Sequence, residues 1–413
     1  MRIELLGPGA RVVDVRPPPS GVGVEDDVRG ILDRVRTGGD DAVRELTERF
    51  DHAELAPDEL AVPPAEIDSA VAALEPGVLA GLRLAIENVR SVARAQLRDT
   101  VRVDLKAGHS VEVVETPVRR AAAYVPGGRA PYPSTVVMCA ITARVAGVDE
   151  FAVCAPPGPG ARAHPTILAA CGLCGVNEVY RMGGAQAIGA LAYGTESVRP
   201  VDVVVGPGNR FVTEAKRQVA GTVGIDGLAG PSELVVVASA GADPELLALD
   251  LLAQGEHGPD SLLVGISPDA GLLRAILDAI ERGPNVPAER CVLVEARDTA
   301  AAVRLADAIA PEHLQLAGEE AEALAGKVRS AGCLFLGRNG ATAFGDYVAG
   351  SNHVLPTGGA ARFGSALSVA TFRRRMARIS LPDSAVERLA PPAAALARAE
   401  GFPLHGESME RRV

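Results

Sequence analysis

The sequence predicts an α/β protein made of two Rossmann-like parallel-sheet domains of similar architecture, with an N-terminal arm and a small helical C-terminal tail domain. Three observations predict it. Short apolar runs recur, each closed by a loop rich in glycine or proline and followed by a helix-length stretch, the pattern of parallel strands covered on both faces. The pattern runs from residue 121 to about 220 and resumes, with different loops, from 234 to 336. The 413 residues suffice for two or three domains, and 47% hydrophobic with 23% charged residues is ordinary for a soluble globular chain.

Residues 1–20 contain Arg16-Pro17-Pro18-Pro19 and read as an extended arm. Val28, Ile31, Leu32 and Val35 recur at helical spacing. Thr37-Gly38-Gly39-Asp40 interrupts them, and Ala42, Val43, Leu46 and Phe50 resume the period. A further helix covers about 77–97, and 101–115 reads as extended, with Val101, Val103 and Leu105 alternating with charge. The first set of strands is 121–125, 151–155, 178–182 and 201–205; the second is 234–238, 262–266, 291–295 and 333–336. Residues 21–123 together with 234–366 are assigned to one α/β domain and 124–233 to the other. Residues 367–413 read as helical, broken at Pro391-Pro392.

A net charge of −11 opposes a non-specific role on nucleic acid or an anionic membrane, which would repel the chain. No run approaches the ~18 apolar residues of a membrane span. The first residues, MRIELLGPGARVV, lack the apolar core of a secretory signal. Cys139, Cys154, Cys171, Cys174, Cys291 and Cys333 lie mostly in apolar stretches and read as reduced core thiols. Cys171 and Cys174 form a lone CxxC without the second pair that a zinc site needs. A soluble cytoplasmic protein is expected.

In open α/β sheets, ligands bind beyond the carboxyl ends of the strands. That singles out the glycine loops at 126–128, 183–186 and 206–209. Glycine lets backbone N–H groups approach an anion, and a following helix N-terminus favours negative charge. Such loops suit a phosphate-bearing cofactor, although they also serve as plain turns, and no GxGxxG is present. Gln254 and His257, three apart at the end of an apolar helix capped by Asp243, form a polar pair of the kind zinc accepts or a core satisfies. Glu312-His313, between a helix and a strand, could supply a general base and acid or belong to a solvated turn. The segment 345–357, dense in Gly, Asp, Asn and His, reads as a functional loop, and Glu400 and His405 stand in the tail.

Taken together, the segments YVPGGRAPYPSTVVM (124–138), RMGGAQAIGALAYGTESV (181–198), VVGPGNRFV (204–212), GIDGLAGPSELVV (224–236), LLAQGEHGPD (251–260), APEHLQL (310–316), GDYVAGSNHVLPT (345–357), GGAARFGSALSV (358–369) and AEGFPLHGES (399–408) resemble the histidinol dehydrogenase family, in order along nearly the whole chain. The resemblance implies oxidation of L-histidinol to L-histidine through an aldehyde-level intermediate, with reduction of two NAD+. It implies one zinc (Zn2+) per site, held by Gln254, His257, Asp346 and His405. Glu312 and His313 match the family's catalytic pair, His313 moving protons during hydride transfer and Glu312 activating the water that hydrates the intermediate. Tyr124, Gln186 and Asn209 match the NAD contacts. The substrate contacts implied are Ser232, Gln254, His257, His313, Asp346, His353, Glu400 and His405. The family is a homodimer whose tail reaches the partner's site, so Glu400 and His405 would act in trans. Arg129 stands where the family often has Lys, and Gly364 and Ala366 depart from its usual run. The alternative is a paralogous zinc- and NAD-dependent dehydrogenase of another amino alcohol or a diol. A zinc hydrolase with Glu312 as base, and a non-catalytic binding protein, are the readings from other classes.

Overall fold

The structure is a computed structural model that describes residues 1–16, 23–127 and 130–413. The chain begins with β1 (Arg2–Leu6) and the single turn α1 (Val12–Val15), then α2 (Glu25–Asp51), α3 (Pro64–Ala72) and α4 (Pro76–Ala95). A hairpin of β2 (Val101–Asp104) and β3 (Ser110–Pro117) follows. Next come β4 (Arg120–Tyr124), α5 (Pro133–Ala146), β5 (Glu150–Ala155), α6 (Pro165–Leu173), β6 (Glu178–Arg181), α7 (Gly184–Tyr193), β7 (Val203–Val205), α8 (Arg210–Val219) and β8 (Gly224–Ile225). A second series comprises β9 (Glu233–Ala238), α9 (Pro244–Gly255), β10 (Leu262–Ser267), α10 (Ala270–Arg282), β11 (Arg290–Glu295), α11 (Thr299–Ile309), β12 (His313–Ala317), α12 (Glu319–Glu322), β13 (Cys333–Leu336) and α13 (Thr342–Tyr347). The chain closes with β14 (Arg373–Ser380), α14 (Asp383–Ala399) and α15 (Pro403–Glu410).

Two parallel sheets carry the fold. One is ordered β6-β5-β4-β7-β8 and the other β1-β11-β10-β9-β12-β13. With β1 set aside, the two wind identically: two strands are added on one side of the first, then two on the other. The winding reverses between β4 and β7 and between β9 and β12, the two switch points of the molecule. The expected class therefore holds, and the strands fall where the apolar runs lie. Buried parallel strands are apolar on both faces, so each run marks itself without alternation. The interruption expected at Gly38-Gly39 is a kink within α2, where Gly39 takes φ 55° and ψ −139°.

Four expectations are corrected. Residues 1–16 are not an extended arm: β1 pairs in parallel with β11 at the edge of the six-stranded sheet, where Met1 and Ile3 add to its core. The proline run of the arm lies outside the described residues. The helices of 25–95 do not join the six-stranded unit. They pack on the five-stranded one, α2 against α7 and α8, α3 against α6, and α4 against α5, and β4 belongs to that sheet. The physical reason is visible in α5 and α7, which are buried almost all round and need a further layer to cover their outer faces. In the tail, 373–380 is a strand that pairs antiparallel with β3, giving a small three-stranded sheet β14-β3-β2. Finally, Pro391 and Pro392 lie inside α14 rather than ending it.

One buried ion pair fixes a loop that matters below. Lys216 is 1% exposed, and its Nζ pairs with the Asp226 carboxylate and donates to the Gly206 carbonyl at 3.0 Å. The other Asp226 oxygen accepts the Gly206 N–H at 2.7 Å. Lys216→Met would leave Asp226 charged and unpaired in the core, so denaturant unfolding should show a loss of about 3–5 kcal/mol. A loss under about 1 kcal/mol would mean that the pair is not fully desolvated.

Candidate active site

The glycine loops cluster at the carboxyl edge of the five-stranded sheet. Tyr124 ends β4, and Gly206 to Asn209 follow β7, so Tyr124 and Asn209 flank the switch point. Gly206 is required there: at φ 104° a Cβ would stand 2.1 Å from the Tyr124 carbonyl oxygen. Asn209 is exposed and caps α8, its side-chain oxygen accepting from Phe211 N–H at 3.0 Å and Val212 N–H at 3.1 Å. Tyr124 is buried, and its Oη accepts the Gly184 N–H at 3.4 Å. Burial pushes its phenol well above the usual range. Gln186 is 1% exposed at the start of α7 and donates to Asp51 at 3.4 Å. Gly128 and Arg129, in the remaining loop, lie outside the described residues.

The acid–imidazole residues gather at the other parallel sheet, at the amino ends of its strands. The register sets His313 of β12 opposite Leu234 of β9, so Glu312 falls beside Glu233. Glu312 Oε2 accepts the Glu233 N–H at 2.8 Å, and Glu233 Oε2 accepts the Glu312 N–H at 3.2 Å. Glu233 is held in turn by Arg16, with contacts of 2.5 and 2.8 Å, and by the Gly358 N–H at 2.9 Å. His313 Nδ1 lies 3.0 Å from the Glu233 carbonyl and 3.5 Å from Glu312, which assigns the Nδ1 proton to the carbonyl. Its Nε2 faces Asp346 at 3.4 Å.

Both members of the pair are buried, Glu312 at 7% and His313 at 3% exposure. Burial pushes the Glu312 carboxyl up to about 7, against the pull of His313. Burial opposes the His313 cation too, but Glu312 and Asp346 outweigh it and lift the ring to about 9. For Asp346, burial works upward, and the His313 contact overrides it and holds the carboxyl low. Burial lowers the His257 imidazole, with Asp346 opposing. The same cluster includes His353, lowered by burial, with Nδ1 2.8 Å from the Asp346 carbonyl and Nε2 3.1 Å from Thr135 of α5. It thereby ties the loop after α13 to the neighbouring unit. Gln254 is 2% exposed near the end of α9, on which α13 with Asp346 packs, and its amide nitrogen is buried without a partner. Ser232, half-buried, immediately precedes β9.

Glu400 and His405 are not part of this gathering. Both are exposed; Glu400 ends α14, and the His405 ring faces Phe402 with centroids 5.3 Å apart. Among the described residues no three His, Cys, Asp or Glu side chains already stand as a metal-holding group. The Cys171–Cys174 pair is buried, and burial raises both thiols, Cys174 to about 12, so these are core thiols. Three residues escaped the sequence reading: Glu233, Arg16 and Asp51. A charged residue opening the buried run Glu233-Leu-Val-Val-Val was a signal for the first. Nothing local marked the other two.

Glycine loops at the switch point of one parallel sheet and a buried acid–imidazole pair on another are the parts of an α/β enzyme that binds a phosphate-bearing ligand and moves protons. A family model described as Histidinol dehydrogenase matches residues 16–413. The chain belongs to the histidinol dehydrogenase family, and its activity is that of an NAD-dependent oxidoreductase in the final steps of histidine biosynthesis. The histidinol dehydrogenase of Cereibacter sphaeroides is 44% identical over 396 residues, covering 94% of this chain and 91% of that protein. That of Rhizobium meliloti is 44% identical over 397 residues, covering 94% and 91%. The crystal structure of histidinol dehydrogenase from Elizabethkingia anophelis superposes with a TM-score of 0.92 at 30% identity, covering 100% of this chain and 98% of that one. An acetylating aldehyde dehydrogenase from Geobacillus thermoglucosidasius, with a TM-score of 0.50 at 12% identity, shares the fold alone.

Proposed function

We propose that the chain carries L-histidinol through both oxidations to L-histidine in one site, reducing two NAD+, with one zinc bound by Gln254, His257 and Asp346 of one chain and His405 of a second. The observation that carries the reading is the buried Glu312–His313 pair, pinned by Glu233 and turned toward Asp346. The donor set fits zinc: an amide oxygen, two imidazoles and a carboxylate are ligands it accepts, and Gln254 is buried, at 2% exposure, near the end of the helix on which α13 with Asp346 packs. When bound, the metal would supply Lewis acidity and a fixed point for the substrate's imidazole and amine.

His313 is the group placed to take the alcohol proton as hydride leaves the same carbon for the nicotinamide; the Asp346 charge that helps lift its ring to about 9 would be committed to the zinc when that is bound, which brings the ring back toward the range where it is a base. Its Nδ1–H bond to the Glu233 carbonyl presents Nε2 as the working nitrogen. Glu312, lifted by burial into the range where a carboxylate can accept a proton at neutral pH, takes one from the water that hydrates the aldehyde. The proton that His313 took in the first oxidation returns to the aldehyde oxygen as the water adds; hydride then passes from the hydrate to a second NAD+ while His313 takes a hydroxyl proton, and the carboxylic acid formed ionises to the carboxylate. Tyr124, Gln186 and Asn209 line the dinucleotide, and Ser232, His353 and Glu400 complete the substrate pocket, with Glu400 pairing the amino group.

The sharing of sites between chains is supported by the tail, which leaves Phe402 54% and Leu404 74% exposed beside His405. Such a surface suits burial on a second copy. A cytoplasmic setting is supported by six unpaired cysteines. No single helix among the described residues is long and apolar enough to cross a membrane.

The test is NADH formation with L-histidinol, with and without a chelator. Zinc-loaded protein should give two NADH per histidine, and chelation should abolish turnover until zinc is restored. Turnover of other amino alcohols or diols without histidinol would favour the paralogue, and no NADH from any of them would end the reading.

A further inference from the structure

In doubly wound sheets that bind a dinucleotide, the adenosine ribose lies over the end of the second strand, where an acidic residue accepts its 2′-hydroxyl. Here the second strand is β5, and Pro156-Pro157-Gly158-Pro159 follows it without a carboxylate. A carboxylate reaches that point from elsewhere. Asp51 is the last residue of α2, and the packing of α2 along α7 carries it to the sheet edge. A Cβ on Gly183 would lie 3.1 and 3.2 Å from the two Asp51 carboxylate oxygens and 2.7 Å from the Pro156 Cβ. Gly183 follows β6 and Pro156 follows β5, so the Asp51 carboxylate stands over the ends of both strands.

The group is poorly supplied with partners. Its one hydrogen bond among the described residues is the long one from Gln186, and no cation pairs with it. Burial raises its pKa to about 6, with His52 opposing. A carboxylate kept half-buried at this cost, with one long amide N–H and no guanidinium among the described residues to satisfy it, has acceptor capacity left for a ligand hydroxyl.

We propose that Asp51 selects NAD over its 2′-phosphorylated counterpart, accepting the adenosine ribose 2′-hydroxyl and repelling a phosphate at that position. The proposal rests on the reading that the glycine loops hold NAD. Gly183 follows from it as well, since any side chain there would strike Pro156 and Asp51 and close the approach.

The experiment measures Kd for NAD and for NADP by calorimetric titration without substrate, and kcat/KM for each at saturating histidinol, in the unmodified enzyme and in Asp51→Asn, Asp51→Ala and Asp51→Glu. Loss of a hydrogen bond to a charged group predicts a rise in KM for NAD of about 10- to 100-fold in Asp51→Ala. The preference for NAD should fall at least about tenfold in both neutral variants, because the repulsion is gone. The KM for histidinol should stay in place, and Asp51→Glu should keep much of the preference. The isosteric Asp51→Asn keeps the shape, so it serves if Asp51→Ala does not fold. An NAD/NADP ratio unmoved in the neutral variants overturns the proposal, as does a loss confined to kcat or to the KM for histidinol. If the unmodified enzyme forms no NADH from histidinol, the dinucleotide reading itself fails. Normal NAD turnover with an unmoved ratio removes only the role of Asp51.

Discussion

Replacing His313 by asparagine should lower kcat with histidinol by about 10²- to 10⁴-fold, the range that a positioned general acid–base supplies. Asparagine can keep a bond to the Glu233 carbonyl but has no basic nitrogen to turn toward the substrate. The fold should survive, because the neighbours of His313 along β12, Leu314 and Leu316, are the residues that fill the core. Glu312→Gln should act differently. Its side chain can still accept the Glu233 N–H, so the loop stays closed, but it cannot take a proton from water. The first NADH should then form faster than the second, and rapid-mixing traces should separate the two. Equal slowing of both would assign Glu312 to positioning alone, and an active His313→Asn would remove the acid–base role from that residue.

Two inactive proteins should rescue each other. In a symmetric dimer, each site on this reading takes His313 from one chain and His405 from the other. A mixed dimer of His313→Ala and His405→Ala chains holds one doubly damaged site and one intact site. Random exchange makes half of all dimers mixed, so activity should return to about a quarter of the unmodified level, while each variant alone stays inactive. Exchange is to be confirmed with a size-tagged chain. Confirmed exchange without rescue would place the whole site within one chain. Within a single chain His405 is exposed against Phe402, and the His257–Asp346–His313 cluster stands at the amino ends of β9 and β12.

The position of that cluster explains why part of it escaped prediction. The rule that ligands lie at the carboxyl ends of strands led to the glycine loops, at which the resemblance then named Tyr124, Gln186 and Asn209, and it is silent about amino ends. Glu312 and His313 stand at the opposite edge of their sheet. Their residue types marked them as a candidate acid–base pair, and only the resemblance chose that over a solvated turn. Glu233 could have been suspected as a charge in a buried run, but its bond to the Glu312 N–H links residues 79 apart. Asp51 gave no sign, because α2 is amphipathic along its whole length and its last turn looks like any exposed helix end.

The helical layer shows the same division. The apolar face of α2 states that something must be buried against it, and it does not say which sheet. β14, with sequence Arg-Arg-Arg-Met-Ala-Arg-Ile-Ser, has no buried face to advertise itself. It is a strand because β3 offers it a free edge, in a register from Arg373 opposite Pro117 to Ser380 opposite Ser110.

The sequence by itself determined the α/β class, the place of most strands of the two parallel sheets, the interruption near Gly39 and the family. Each of these is written in a short window, where periodicity, a glycine or a motif acts on neighbours in the chain. Only the tertiary structure decided which sheet the first three long helices cover, that the chain's first strand closes the edge of the other, and that Glu233, itself held by Arg16, holds the Glu312–His313 pair. Those outcomes depend on which buried surfaces meet and on strand register, and both are settled by residues far apart in the chain.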